Sequence, residues 1–150
     1  MNRHLHGEEH PEVAESFIDL FRNYRFRGEY EEAKANLLEA HRIHKILFGE
    51  KSVEVGNHLG SLGCLLGDMG EYDKAESAYL ESIQIYNEAT GTPENKFAIQ
   101  TWEGLAILYR AKGEVEKAEA ADLEAIRIEK VIHAADLAPL EGDVASLTLT

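Results

Sequence analysis

The segment Gly28-Glu29-Tyr30-Glu31-Glu32-Ala33 returns as Gly70-Glu71-Tyr72-Asp73-Lys74-Ala75 and again as Gly113-Glu114-Val115-Glu116-Lys117-Ala118. The offsets are 42 and 43 residues. A fixed period of this size marks a solenoid, in which each unit is too small to bury its own apolar face and stacks on its neighbours to do so. Three units is about the minimum for a stable array of this kind.

Each glycine of the motif separates two stretches with helical spacing. Phe17, Leu20, Phe21 and Tyr24 form an apolar stripe that begins after Pro11, a residue favoured in the first helical turn, and ends at Gly28. Ala33, Leu37, Ala40, Ile43, Ile46 and Leu47 form the next, ended by Gly49. Acidic Glu29, Glu31 and Glu32 stand in its first turn, where the helix dipole favours them. The pattern restarts with Val55, Leu59, Leu62, Gly63 and Leu66, then Ala75, Tyr79, Ser82, Ile85 and Ala89. Thr92-Pro93 is a turn signal that carries the one-residue insertion. Ala98, Trp102, Leu105, Ala106 and Tyr109 make the fifth helix, and Ala118, Ala121, Ala125, Ile128 and Ile132 the sixth. The expected fold is therefore all-α, with three antiparallel helix pairs over residues 11–50, 51–92 and 93–134. Residues 1–10 read as a flexible segment and residues 135–150 as a tail or weak cap. Leu137, Leu140, Val144 and Leu147 are spaced for a short helix there, which Pro139 and Gly142 oppose. Without a cap, Ile126 is left exposed.

Charge and motif content narrow the function. The chain has 15 Lys and Arg against 28 Asp and Glu, a net charge of −13. That opposes nucleic acid and anionic membranes as main partners, since both require clustered cations. No apolar run is long enough to span a bilayer and no secretory leader is visible, so the expected location is cytoplasmic. One cysteine, Cys64, allows no internal disulfide. No phosphate-binding loop, dinucleotide fingerprint, nucleophile elbow or paired-cysteine zinc pattern is present, so neither an enzyme nor a bound cofactor is expected. His4, His6 and His10 read as a mobile terminus rather than a metal site. His41 and His44, three residues apart, read as partly exposed helix residues. Cys64 has no convincing base, since His58 lies on another part of its helix, and reads as structural.

Small and aromatic residues recur at fixed places in each pair. The first unit gives Phe17, Leu20, Phe21, Tyr24, Ala33, Leu37 and Ala40; the second Leu59, Leu62, Gly63, Leu66, Ala75, Tyr79 and Ser82; the third Trp102, Leu105, Ala106, Tyr109, Ala118, Asp122 and Ala125. This pattern resembles the tetratricopeptide repeat over about residues 11–133, and the long period resembles its kinesin light chain type. The resemblance implies an α-solenoid coiled as a right-handed superhelix, whose first helices line a concave groove. It places Glu15, Asp19, Arg22 and Arg25 of the first repeat in that groove. From the second repeat come Asn57, Ser61 and Asp68, and from the third Gln100, Glu103 and Arg110. Phe26, Cys64 and Ile107 are their less polar neighbours. Bulky Phe21 is expected to splay the first pair, and polar Asp122 to loosen the last helix. The asparagine ladder of kinesin light chains and the carboxylate clamp of chaperone-binding members are missing.

The implied function is a non-enzymatic interaction module or adaptor that holds a peptide or partner protein in the groove. The alternative is a self-associating solenoid, or a fragment of a larger scaffold, with open ends that stack into homo-oligomers. Arg22, Arg25 and Arg110 present guanidinium forks suited to carboxylates and so point to an acidic peptide. The competing reading has Arg22 and Arg25 neutralise the C-terminal end of the first helix, or pair with Glu15 and Asp19 in the same groove. Gly60, Gly63 and Gly67 put three poor helix formers into one helix. Helix contact explains Gly63; for Gly60 and Gly67, close approach of a ligand backbone or a flexible groove floor is left open.

Overall fold

The structure is a computed structural model that describes residues 10–149, with side chains to residue 137. Six helices follow one another: α1 (Pro11–Phe26), α2 (Tyr30–Phe48), α3 (Val53–Asp68), α4 (Tyr72–Thr90), α5 (Lys96–Ala111) and α6 (Val115–Leu149). The two helices of each pair pack mainly on one another, and each second helix packs less extensively on the first helix of the next repeat. The array is thus three antiparallel pairs stacked in chain order.

The turn inside each pair explains the motif. Gly28, Gly70 and Gly113 sit at φ +78, +79 and +79, a left-handed conformation that side chains oppose. The residue after each glycine donates its N–H back to the preceding helix: Glu29 to the Tyr24 carbonyl at 2.8 Å, Glu71 to Leu66 at 2.9 Å and Glu114 to Tyr109 at 2.8 Å. These are helix-terminating turns that satisfy otherwise unpaired carbonyls. First helices are capped by side chains that the sequence pattern did not reveal. His10, Ser52 and Asn95 accept from the N–H of Glu12, Val55 and Ala98. Asn95 also donates to the Thr92 carbonyl and to Asn87, which fixes the inserted turn.

The core fills the seams. Leu105 of α5 is fully buried among Leu66, Ala75, Tyr79 and Ile83 of the second repeat. Leu20 holds the same register position in the first repeat, where no described repeat precedes it, and is 41 % exposed. Ile126 corresponds to Ile83; the first is 45 % exposed and the second 7 %. A solenoid residue is therefore buried by its neighbouring repeat as much as by its own.

Several expectations need correction. Phe21 does not splay the first pair; it is buried against Ala33 and Leu37 of α2 and Leu65 of α3. Asp122 leaves its helix well packed, since Ala118, Ala121, Ala125 and Ile128 around it are buried. Its carboxylate is taken up by Arg110. On α4, Ile83 and Tyr86 are buried where the pattern pointed to Ile85 and Ala89. The sixth helix does not stop near 134 but continues through Pro139 and Gly142 to Leu149. The strong helix formers Ala134, Ala135, Leu137 and Ala138 carry it past the expected stop. The capping role expected of Leu140, Val144 and Leu147 lies outside the described side chains, as do His4 and His6.

Candidate functional site

The first helices α1, α3 and α5 line a cleft of about 560 Å³. Glu15 and Arg22 of α1, Asn57, Ser61 and Cys64 of α3, and Gln100 of α5 all face it. Glu103 lines an adjoining recess shared with Asn57 and Gln100. Five of the ten groove residues read from the sequence thus meet in one cleft, and a sixth borders it. Asp19, Arg25, Asp68 and Arg110 do not line it.

The arginines are engaged within the chain. Arg25 Nε donates to Asp68 Oδ2 at 2.6 Å, linking the first repeat to the second. That hydrogen bond raises the Arg25 pKa, against a smaller opposing effect of burial. Arg22 reaches Asp19 at 3.4 Å, an exposed contact within one helix. Arg110 pairs with Asp122 across the third repeat. The guanidinium forks expected to receive an acidic peptide already face carboxylates of this chain. The competing reading named Asp19 correctly for Arg22, but the partner of Arg25 is Asp68 one period away.

The second helix α4 builds the wall behind the cleft. Its Tyr79 and Tyr86 are seven residues apart and lie on one face; Gly56 and Gly63 of α3 share that spacing on the face opposite. A Cβ on Gly63 would stand 2.7 Å from the Tyr79 ring, and one on Gly56 2.5 Å from the Tyr86 ring. The glycines therefore seat the two rings. Gly104 of α5 receives Tyr79 from the other side, at 3.0 Å. The Tyr79 hydroxyl donates to Cys64 Sγ at 3.1 Å, and burial and this contact raise its pKa. The Tyr86 hydroxyl donates to Asn57 Oδ1 at 2.5 Å. Asn57 is held by its carbonyl, which leaves its amide N–H groups to face the cleft. The Tyr86 ring also stacks on Phe97, with centroids 5.7 Å apart. Gly67 has open space around its Cβ position, and Gly60 meets only ordinary contacts.

A histidine cluster closes the end of the cleft at the first seam. His44 is buried, not partly exposed, and its Nδ1 lies 2.7 Å from His58 Nε2, one ring donating to the other. His41 stacks on His58 with centroids 5.9 Å apart. Burial, and then the neighbouring His44 and His41, push the His58 pKa down to about 4. Burial and Lys45 likewise lower that of His41. Among the described residues no group of three or more His, Cys, Asp or Glu is arranged to hold a metal ion. The signal that could have linked these histidines is register, because His44 occupies the place of Tyr86 in the next repeat.

Residues 22–88 match the family model of the tetratricopeptide repeat. Over that stretch the chain is similar to tetratricopeptide repeats. Among solved structures, BtubC (BKLC) from P. vanneervenii superposes with a TM-score of 0.73 at 25% identity, covering 84% of this chain and 50% of that one. Nearly identical TPR-like repeats assigned to a kinesin light chain of Podosopora anserina superpose at 0.67, with 20% identity and coverage of 81% and 57%. A single-substitution variant of the same repeats superposes at 0.70, with 20% identity and coverage of 85% and 59%. The chain thus spans 50% to 59% of the length of these matched structures. No curated protein matches at a significant level. The stacked helix pairs of this chain share the fold of these solved repeats. No described helix is long and apolar enough to cross a membrane.

Proposed function

We propose that this chain is an adaptor that holds an extended segment of a partner protein in the cleft across α1, α3 and α5. The observation that carries the reading is hydrogen-bonding capacity left over at that cleft. Asn57, Ser61 and Gln100 line it from two helices, and Asn57 is fixed in place through Tyr86. Carboxamides held in this way match the alternating donors and acceptors of a peptide backbone. On the same first helices, Phe26 and Ile107 are 92 % and 69 % exposed, which leaves apolar side chains open to contact. No catalytic role is assigned to any residue.

The test is affinity capture of the partner with the wild-type chain and with Asn57→Ala/Gln100→Ala. The account expects the double variant to lose capture, while Leu80→Ala on the exposed side of α4 retains it. Equal capture by both variants overturns the cleft as the binding surface.

A further inference from the structure

The cleft is lined by carboxylates without partners. Glu15 of α1 and Glu54 of α3 both face it, and neither is hydrogen-bonded or ion-paired among the described residues. Arg22, the cation in the same lining, is turned to Asp19. The adjoining recess adds Glu103 and Glu129 against Lys96, whose ammonium stands 5.4 Å from the Phe97 ring centroid. The local balance is negative, in a chain whose net charge is −13.

A second feature lies at the floor. Thr101 of α5 faces the cleft, is only 5 % exposed, and its hydroxyl makes no hydrogen bond among the described residues. Its oxygen is not fully enclosed, so the hydroxyl is open to the cleft and free to accept from a ligand there. The hydroxyl lies 3.8 Å from where a Gly60 Cβ would stand, so the absent side chain of Gly60 keeps the approach to it open. The stacked Tyr86 and Phe97 rings form one wall.

We infer that the cleft receives a lysine or arginine side chain of the partner segment, with Glu15 and Glu54 as counter-charges and the Thr101 hydroxyl as an acceptor at its floor. This inference rests on the groove-binding reading above and reverses the acidic-peptide expectation drawn from the arginines. An ammonium or guanidinium group carries donors only, so it complements a lining of unpaired carboxylates and an unpaired hydroxyl. The glycine at position 60, otherwise a liability in a helix, acquires a role: it leaves room for that side chain.

The test selects short randomised peptides on the purified chain, then measures the best binder by fluorescence anisotropy at low and high salt. The inference expects selected peptides to be enriched in lysine or arginine. It expects acetylation of the bound lysine, or Glu15→Gln/Glu54→Gln in the protein, to weaken binding about tenfold. Thr101→Val and Gly60→Ala, which leave the charge unchanged, weaken it several-fold. Cationic peptides that bind equally well to Gly60→Ala and Thr101→Val report bulk attraction to an acidic chain and overturn the inference. Neutral or acidic peptides that bind and are sensitive to Asn57→Ala overturn it while leaving the groove reading intact. Failure to select any peptide sensitive to cleft substitutions overturns both.

Discussion

Alanine at Gly63 and alanine at Gly67 are the same chemical change on the same helix, and the structure assigns them different effects. In a helix interior, glycine costs up to about 1 kcal/mol relative to alanine, so both changes begin with a gain of that size. At Gly67 nothing lies within 4 Å of the new methyl group, and the gain stands. At Gly63 the methyl would stand 2.7 Å from the Tyr79 ring, well inside the ~3.5–4.0 Å at which carbon atoms meet comfortably. The ring has no room to yield. It is buried, its hydroxyl donates to Cys64, and Gly104 confines it from the other side. Overpacking of this kind costs about 1–3 kcal/mol. Gly63→Ala is therefore expected to be neutral to about 2 kcal/mol destabilising, and Gly67→Ala about 1 kcal/mol stabilising. The two are separated by about 1–3 kcal/mol, or several degrees in Tm for a domain of this size. Urea unfolding of both variants beside the wild type, with a common m value, measures the difference. Equal stabilisation by the two would refute the seating of Tyr79 on Gly63.

Two further predictions concern the cleft and its seam. The His58 pKa is depressed from 6.5 to about 4, so the folded state disfavours the charged ring. The unfolded chain takes up the proton first as pH falls, and the stability tied to neutral His58 is complete above 6.5 and lost by about pH 4, an effect of about 3 kcal/mol. Unfolding free energies across that window should fall more steeply for wild type than for His58→Leu, and parallel slopes would contradict it. Tyr86→Phe removes the hydrogen bond to Asn57, so it should cost about 1 kcal/mol in urea unfolding and weaken partner binding through the released Asn57 side chain. An unchanged affinity would show that Asn57 needs no positioning.

The sequence reading succeeded where the cause is local and repeated. Gly28, Gly70 and Gly113 announce their turns because a left-handed conformation is required at one position of every unit. It failed where the cause lies one period away. Arg25 finds Asp68 at a separation of 43 residues, on a neighbouring first helix, whereas periodicity within α1 offered only Glu15 and Asp19. The Tyr79–Gly63 and Tyr86–Gly56 contacts run between the two helices of one repeat, and matching seven-residue spacings could have exposed them. Leu20 obeys the stripe of α1 yet stays exposed, because its burial depends on a repeat rather than on its own helix. Half of the groove residues read from register do line the cleft. Thr101, Glu54, Tyr86 and the histidine seam were missed, since they line the cleft from positions outside the groove register that the resemblance supplied.

The cleft as binding surface is tested most directly by photo-crosslinking from within it. A benzoyl-phenylalanine placed at Ser61 faces the cleft, and one placed at Gln84 stands on the exposed surface of α4. The account predicts partner capture from Ser61 and none from Gln84. Capture from Gln84 alone would contradict it.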